Sequence, residues 1–548
     1  MQLSLDRYYN YNKTTLDLPD NFNESFDNID FPPTLKTMCF GQQFNQPINK
    51  TIFPPNLEDL LFHGEFNQPL DNIIFPSTLK TIVLNWEFNQ PLDFVTFPPN
   101  LQSLSLEGEF NQPIHKTNFP DSLTSLFLSE NFNHPLNKVT LPLSLENLTF
   151  GTNFNQPLEK INFPPNLKSI KFGSNFNRSF DKITFPASLK TITFGTYFNK
   201  SINNITLPSS LSSIIFGYSF NQNINTLKFP LSLQLITFCE RFNQPITNVI
   251  FPFNLTTITF GWHFNQPINP QQFPNLQNIT FGNDFNQPFP NGLPIELLTI
   301  KFGYYFNQQI ILPSKLKSIE FGHEFKQSFE NITLPPTLQS ILFKRPPEHD
   351  FYKIKFPQSL KIISFKDFFA YPIEKIRFPS NLEHIEFLFC IQQNLSLINL
   401  PPNLQTIILG GTFNQPIDNI TFPDTITKIK FGSNFNKSLT KTKLPSSLRS
   451  LKFGEHFNQP IDQIKFPPTL TKIKFAEYFN QSLDNLPPTI LTLTFNYIPP
   501  HHLTNLPPSL TKIKITSDNT QHPDYIANLR IPYSCIVYNE FNEILRIS

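Results

Sequence analysis

The sequence is short of the residues that mark several common protein classes. It holds only 16 Gly, 4 Cys, 2 Met and 2 Trp in 548 residues. The cysteines lie far apart and form no CxxC or Cys/His cluster, so we expect reduced thiols rather than a disulfide framework or a zinc site. HExxH, P-loop, GxGxxG and GxSxG motifs are also absent. We therefore predict that the protein is not an enzyme and holds no cofactor or metal.

Strong charge and long apolar runs are missing too. Charged residues make up 15% of the chain and the net charge is +1, so no overall field draws the protein to nucleic acid or to an anionic membrane. No stretch of about 18 apolar residues occurs, and the first residues do not resemble a signal peptide. We expect a cytoplasmic protein that does not bind membranes and is not a nonspecific binder of nucleic acid.

Phenylalanine and proline are abundant instead, with 63 and 53 copies. The pair Phe-Asn recurs every 22 residues from Phe22 to Phe264, and Phe or Leu before Pro follows the same interval along most of the chain. A fixed period of this length indicates a solenoid, in which each coil buries its apolar face against its neighbours. We predict an N-terminal segment over residues 1–15, a solenoid over 16–515 and a C-terminal cap over 516–548.

One unit, "LKTITFGTYFNKSINNITLPSS" from Leu189, shows what each coil contains. Ile192 and Phe194 alternate with Thr191 and Thr193, which predicts a short strand with one buried face. Strands that recur once per coil run parallel, and proline in every unit disfavours helix. The predicted fold is mainly β, a leucine-rich-repeat-like β-solenoid of about 23 coils of about 22 residues, with a parallel sheet on one face and little helix.

The motifs "LxxIxFG", "FNQPI" and "IxFPxxL" resemble the FNIP repeat family, a leucine-rich-repeat-like module of social amoebae and of giant viruses that infect amoebae. The resemblance implies the same leucine-rich-repeat-like solenoid. Many family members carry an N-terminal F-box that recruits a ubiquitin ligase. About 15 residues precede the first strand-like segment here, so the resemblance does not imply that activity for this chain.

The repeated residues themselves are interpreted as structural. Inward Phe side chains, such as Phe194 and Phe216, are expected to stack on their equivalents one coil away. The Asn after Phe, as in Asn67 and Asn89, can bond unpaired backbone groups at the corner and form a column along the axis. The alternative is a row of Asn side chains that contacts sugars or peptides.

Function is therefore sought at outward strand positions that the repeat leaves free. Near the C-terminal end these positions become lysine on neighbouring coils, where like charges repel. An acidic protein partner, either an acidic peptide or a phosphorylated segment, would explain this cost. The alternative is a solvated edge that keeps the end of the sheet from stacking on another molecule. The predicted interaction residues, called the lysine face below, are Lys428, Lys430, Lys452, Lys472, Lys474, Lys512 and Lys514.

A second candidate lies where the Phe-Asn pair is lost but the 22-residue spacing persists. The segments are "KRPPEHDFYK", "KDFFAYPIEK" and "LFCIQQNLS". Adjacent variant corners could form a local contact patch, or could reflect repeat decay without function. The predicted patch residues are Arg345, Glu348, His349, Phe369 and Tyr371.

These observations together predict a noncatalytic scaffold for protein–protein interaction, present as a monomer. Two alternatives remain open. One is a substrate-recognition arm of a ubiquitin ligase assembled in trans, and the other is a glycan or nucleic-acid binder that uses the lysine face.

Overall fold

The computed structural model describes residues 5–346, 351–369, 372–389, 395–475, 477–496, 506–516, 531–540 and 544–547. The chain divides into two compact units, Met1–Phe285 and Asn286–Ser548. Each unit is built from repeated coils, and the two are described separately.

The first unit contributes one short strand per coil. Each strand pairs in parallel with the strand of the next coil, so that Ile192, for example, lies opposite Ile214. Two 3-10 turns, Asp6–Tyr8 and Pro270–Gln272, are its helical segments among the described residues. The strands are β1 (Thr15–Asp17), β2 (Thr37–Phe40), β3 (Asp59–Phe62), β4 (Thr81–Leu84), β5 (Ser103–Leu106), β6 (Ser125–Leu128), β7 (Asn147–Phe150), β8 (Ser169–Lys171), β9 (Thr191–Thr193), β10 (Ser213–Ile215), β11 (Leu235–Thr237), β12 (Thr257–Thr259) and β13 (Asn278–Thr280).

The second unit repeats this arrangement, with one change at its C-terminal end. β25 adds in parallel to β24, whereas β26 pairs antiparallel with β25. The strands are β14 (Thr299–Lys301), β15 (Ser318–Phe321), β16 (Ser340–Phe343), β17 (Ile362–Phe365), β18 (His384–Phe387), β19 (Thr406–Leu409), β20 (Lys428–Phe431), β21 (Ser450–Lys452), β22 (Lys472–Lys474), β23 (Thr492–Phe495), β24 (Lys512–Ile515), β25 (Ile536–Tyr538) and β26 (Ile544–Ile547). The predicted parallel β-solenoid is confirmed, while the predicted boundaries of its segments stay predictions.

Four 3-10 turns of the second unit occupy equivalent places in successive coils. They fall where the sequence loses the Phe-Asn pair, and each begins with a buried apolar residue that keeps the core filled. The turns are Phe329–Asn331, Phe351–Lys353, Ile373–Lys375 and Leu395–Leu397.

Inward Phe side chains form columns inside the coils, as predicted. The rings of Phe194 and Phe216 have centroids 5.4 Å apart with planes 4° apart, and Phe216 and Phe238 follow at 5.0 Å. The Phe of the corner pentapeptide forms a second column, in which Phe44 and Phe66 stack at 6.0 Å. These rings are essentially inaccessible to solvent, so they cannot stack on a ligand.

Corner Asn side chains form the predicted column along the coils. The backbone N–H of Asn67 donates to Asn45 Oδ1, and the N–H of Asn89 donates to Asn67 Oδ1, each at 3.0 Å. The Gln after each Asn adds a second donor, as when Gln90 Nε2 donates to Asn67 Oδ1 at 3.0 Å. Each Asn oxygen therefore satisfies an N–H that the turn out of the strand leaves unpaired.

Glycine after the strand has a role that the repeat pattern did not reveal. A Cβ atom at Gly173 would lie 1.6 Å from the carbonyl oxygen of Gly151, and one at Gly195 would lie 1.7 Å from that of Gly173. These distances are far below van der Waals contact. Only glycine lets successive corners approach this closely.

Candidate functional site

The lysine face is assembled by strand register in the second unit. Lys430, Lys452 and Lys474 lie opposite one another on β20, β21 and β22. The same column continues through Thr494 on β23 to Lys514 on β24. Because neighbouring strands lie about 4.8 Å apart, the backbone positions of Lys430 and Lys474 are separated by about 10 Å, with Lys452 between them.

A parallel column holds the other predicted lysines, two residues earlier on the strands. Lys428 and Lys472 are exposed at either side of Ser450, and Lys512 follows beyond Thr492. The Lys512 ammonium lies 4.2 Å from the centroid of the Tyr538 ring, a cation–π contact. The register thus brings the seven predicted lysines onto one sheet face.

The electrostatics of the face are unfavourable in the isolated chain. Burial first, and repulsion from Lys430, Lys474 and Lys428 second, lower the pKa of Lys452 below its ordinary value. Burial, followed by repulsion from the surrounding lysines, lowers the pKa of Lys474 in the same way. Each cause acts against the charged form of these half-buried ammonium groups.

Carboxylates pair with several lysines elsewhere in the described chain, in contrast to five lysines of the face. Glu58 bridges Lys36 and Lys80 at 2.8 and 2.6 Å in the first unit. In the described part of the chain, no ion pair involves five of the lysines, namely Lys428, Lys430, Lys452, Lys472 and Lys474.

A groove of about 340 Å³ runs along one border of the face. Lys430, Lys452 and Lys474 line it together with Ser433 and the carboxylate of Glu455. Its remaining lining is neutral and includes the apolar side chains of Leu388 and Ile408 and the glycines of the corner column. This space is called the lysine groove below.

Along the same outward column, the lysine face ends at β19 and β18. Ile408 lies opposite Lys430, and Glu386 lies opposite Ile408 on the next strand. Glu386 accepts a hydrogen bond from the Ser364 hydroxyl at 2.8 Å. The nearest carboxylate in this column is therefore two strands from the first lysine and is already engaged.

One residue of the predicted variant-corner patch, Phe369, is buried, and the patch as a whole stays a prediction. Phe369 has 0% of its surface exposed and takes the place of a corner Phe, packing edge-on against Phe365 at 4.7 Å and Phe387 at 5.4 Å. Its ring cannot serve as an exposed contact, because it occupies the buried position that a corner Phe takes in other coils. Arg345 is half-buried, and the other three residues, Glu348, His349 and Tyr371, lie outside the described residues.

Beside these corners lies a polar cluster that the sequence did not reveal. The His323 ring stacks on Tyr304 at 4.5 Å with planes 6° apart. Its Nδ1 lies 3.0 Å from Glu324 Oε1 and its Nε2 lies 2.8 Å from Asp367 Oδ2. His323 and Asp367 are 44 residues apart, which is two repeat lengths. This spacing places both residues at equivalent positions of their coils.

The Asn column also changes in this region. Lys326 replaces the corner Asn, and its backbone N–H donates to Asn307 Oδ1 at 2.9 Å. Lysine has no side-chain acceptor for the next coil, so it ends this run. The column is present again where Asn436 donates to Asn414 Oδ1 at 3.0 Å.

Comparison with known proteins places the chain in a family. The model of the FNIP Repeat matches residues 44–87, 88–131, 132–175, 154–197, 198–240, 242–284, 306–345, 392–434 and 435–478. These ranges cover more than half of the chain. The chain belongs to the FNIP repeat family.

Two solved structures illustrate what the chain is similar to, and only the first supports the assignment. CroV588, described as a circular LRR protein from a giant virus, is 33% identical to this FNIP repeat protein, with a TM-score of 0.68 over 98% of this chain and 87% of that one. YopM from Yersinia enterocolitica is 16% identical, with a TM-score of 0.36 over 98% of this chain and 92% of that one. No curated protein matches the sequence.

The part of this FNIP repeat protein that the structure describes has neither a candidate membrane-spanning helix nor a candidate metal site. No helix there has the length and apolarity needed to cross a bilayer. No group of three or more His, Cys, Asp and Glu side chains there is arranged to hold a metal ion.

Proposed function

We propose that this FNIP repeat protein is a noncatalytic scaffold that binds an acidic segment of a protein partner through the lysine face. One observation carries the proposal. Lys430, Lys452 and Lys474 stand in register on neighbouring strands, and within the described residues they lack the carboxylate partners that other lysines of the chain have.

The cost of this arrangement supports a partner. Like charges directly opposite each other on neighbouring strands destabilise a sheet, and most outward positions in the middle of the chain carry Thr or Ser, as at Thr191, Thr193, Thr257 and Thr259, at no such cost. An acidic partner would replace the repulsion with attraction and would also speed its own association. A cytoplasmic location and a monomeric state stay predictions.

Affinity purification from cells that express the protein tests the proposal. Lys430→Glu, Lys452→Glu and Lys474→Glu together should remove an acidic partner that the wild type retains. Recovery of the same proteins at the same yield by wild type and variant would contradict it.

The chain offers a matched control in the first unit. Lys138, Lys160 and Lys182 are exposed, recur at the same 22-residue interval and form no ion pair among the described residues. Changing these three lysines to Glu alters the net charge equally but leaves the lysine face intact. Partner recovery by this control should equal that of the wild type.

The same purification addresses the two alternatives. Ligase components in the eluate that persist in the lysine-face variant would favour the ubiquitin-ligase arm. Binding of heparin or RNA by the pure wild type, lost in the lysine-face variant, would favour the glycan or nucleic-acid binder.

A further inference from the structure

We infer that the lysine groove binds a phosphate monoester on a phosphorylated segment of the partner. The inference rests on the proposed function and narrows it, because it chooses phosphate over a run of carboxylates.

Spacing gives the first argument. The three lysines of the groove recur at about 4.8 Å, the distance between strands. An extended peptide presents side chains on one face only every second residue, about 6.7 Å apart. Successive carboxylates of such a peptide would therefore fall out of step with the ammonium groups, whereas one phosphate presents several oxygens at a single point.

Charge gives the second argument. Three ammonium groups and the single carboxylate of Glu455 are the charged groups in the groove lining, which leaves a net charge of +2. A phosphate monoester carries about −1.5 to −2 at neutral pH and three acceptor oxygens. A single side-chain carboxylate would leave about half of this net positive charge uncompensated.

The neutral lining fits the same ligand. The Ser433 side chain forms no hydrogen bond within the described residues, so its hydroxyl is available to a phosphate oxygen. Leu388 keeps 40% of its surface exposed and shares the groove with Ile408. An apolar residue beside the phosphorylated residue of a peptide would contact these two side chains.

A nucleic acid fits less well. Single-stranded nucleic acid binds on exposed aromatic platforms. Tyr538 lies at the lysine face, but its ring is already in contact with the Lys512 ammonium. The aromatic residues of the groove lining, Phe431 and Phe453, are buried and offer no exposed ring.

Fluorescence anisotropy of three labelled peptides against the full chain tests the inference. The peptides share a Gly/Ser background and one leucine, and the residue before the leucine is phosphoserine, Glu or Ser. We expect the phosphoserine peptide to bind at least about tenfold more tightly than the Glu peptide, because three oxygens and two charges replace one carboxylate. Inorganic phosphate should compete with it.

Variants assign that binding to the groove. Lys452→Met with Lys474→Met should weaken phosphoserine binding at least about tenfold, and Ser433→Ala by a smaller factor, since a charged donor contributes more than a neutral one. Lys138→Met with Lys160→Met is the matched control and should leave the affinity unchanged. Equal loss in this control would overturn the assignment.

The outcomes separate this inference from the proposed function. Equal affinity for the phosphoserine and Glu peptides, or no binding of either, refutes the phosphate site, while the purification still decides whether an acidic partner binds. Tighter binding of oligouridylate, or of vesicles that contain a phosphoinositide, than of the phosphoserine peptide also overturns it.

Discussion

Replacing Asn67 by Ala tests whether the corner Asn is structural. Asn67 Oδ1 accepts from the backbone N–H of Asn89 and from Gln90 Nε2, each at 3.0 Å. The Gln90 amide retains a second acceptor, the Asn67 carbonyl, at 3.1 Å. The substitution therefore leaves one partly buried backbone N–H without its partner.

The size of the effect follows from that lost bond. A buried donor left unsatisfied costs about 1–3 kcal/mol. At about 1.4 kcal/mol per factor of ten, the amide of Asn89 should exchange its hydrogen roughly 5- to 140-fold faster than in the wild type. Hydrogen exchange followed by mass spectrometry measures this rate directly, and the melting temperature should fall with it.

Asn67→Asp is the matched control for this prediction. The carboxylate keeps an acceptor oxygen at the same place, so protection of Asn89 should remain close to that of the wild type. If Asp accelerates exchange as much as Ala does, the acceptor is not what matters. Unchanged exchange and melting in the Ala variant, together with lost partner binding, would show that the corner is a recognition site.

Three further predictions concern other features of the chain. Lys452→Gln removes two like-charge contacts, to Lys430 and Lys474, of about 0.2–1 kcal/mol each. Urea unfolding should therefore show a gain in stability, while partner binding falls. A loss of stability would contradict the repulsion. Gly454→Ala would place Cβ 1.7 Å from a carbonyl oxygen and should lower the free energy of unfolding by about 1–3 kcal/mol or more. In the control Gly411→Ala the nearest atom lies at 3.8 Å, so this variant should melt like the wild type. Equal melting of the two variants would contradict the close approach. Hydrogen bonds from Lys36 and Lys80 lower the pKa of Glu58 to about 2. The extra stability of the wild type relative to Glu58→Gln should therefore be fully present above about pH 4.5 and be lost as the pH falls toward 2. A difference that does not change with pH would refute this pairing.

Periodicity explains why much of the fold could be predicted. A strict 22-residue interval places each Phe and each Asn opposite its own equivalent, so one coil predicts the contacts of the next. The stack of Phe194 on Phe216 and the bond from Asn89 to Asn67 both follow from that repetition. The lysines of β20, β21 and β22 share one face for the same reason, since they recur at equivalent positions of successive coils.

Features that depend on backbone geometry could not be predicted in this way. The close approach at Gly173 arises from the path of two corners, which side-chain patterns do not encode. The contact of His323 with Asp367 spans two repeats. The lysine groove likewise depends on how the corner glycines shape the border of the sheet.

The variant corners show a limit of pattern reading. The loss of the Phe-Asn pair made Phe369 look like a member of a surface patch, although its position keeps the corner interval from Phe325. Packing against Phe365 and Phe387 then buries it in the closely packed core. Position within the interval was a better guide than the neighbouring residue.

Lysine-reactivity footprinting tests the central claim most directly. The wild-type protein is acylated with and without an extract of the cells that express it, and each lysine is quantified by mass spectrometry. We predict protection of Lys430, Lys452 and Lys474, with unchanged labelling of Lys138 and Lys160. Equal protection of both sets, or protection confined to the first unit, would contradict binding through the lysine face.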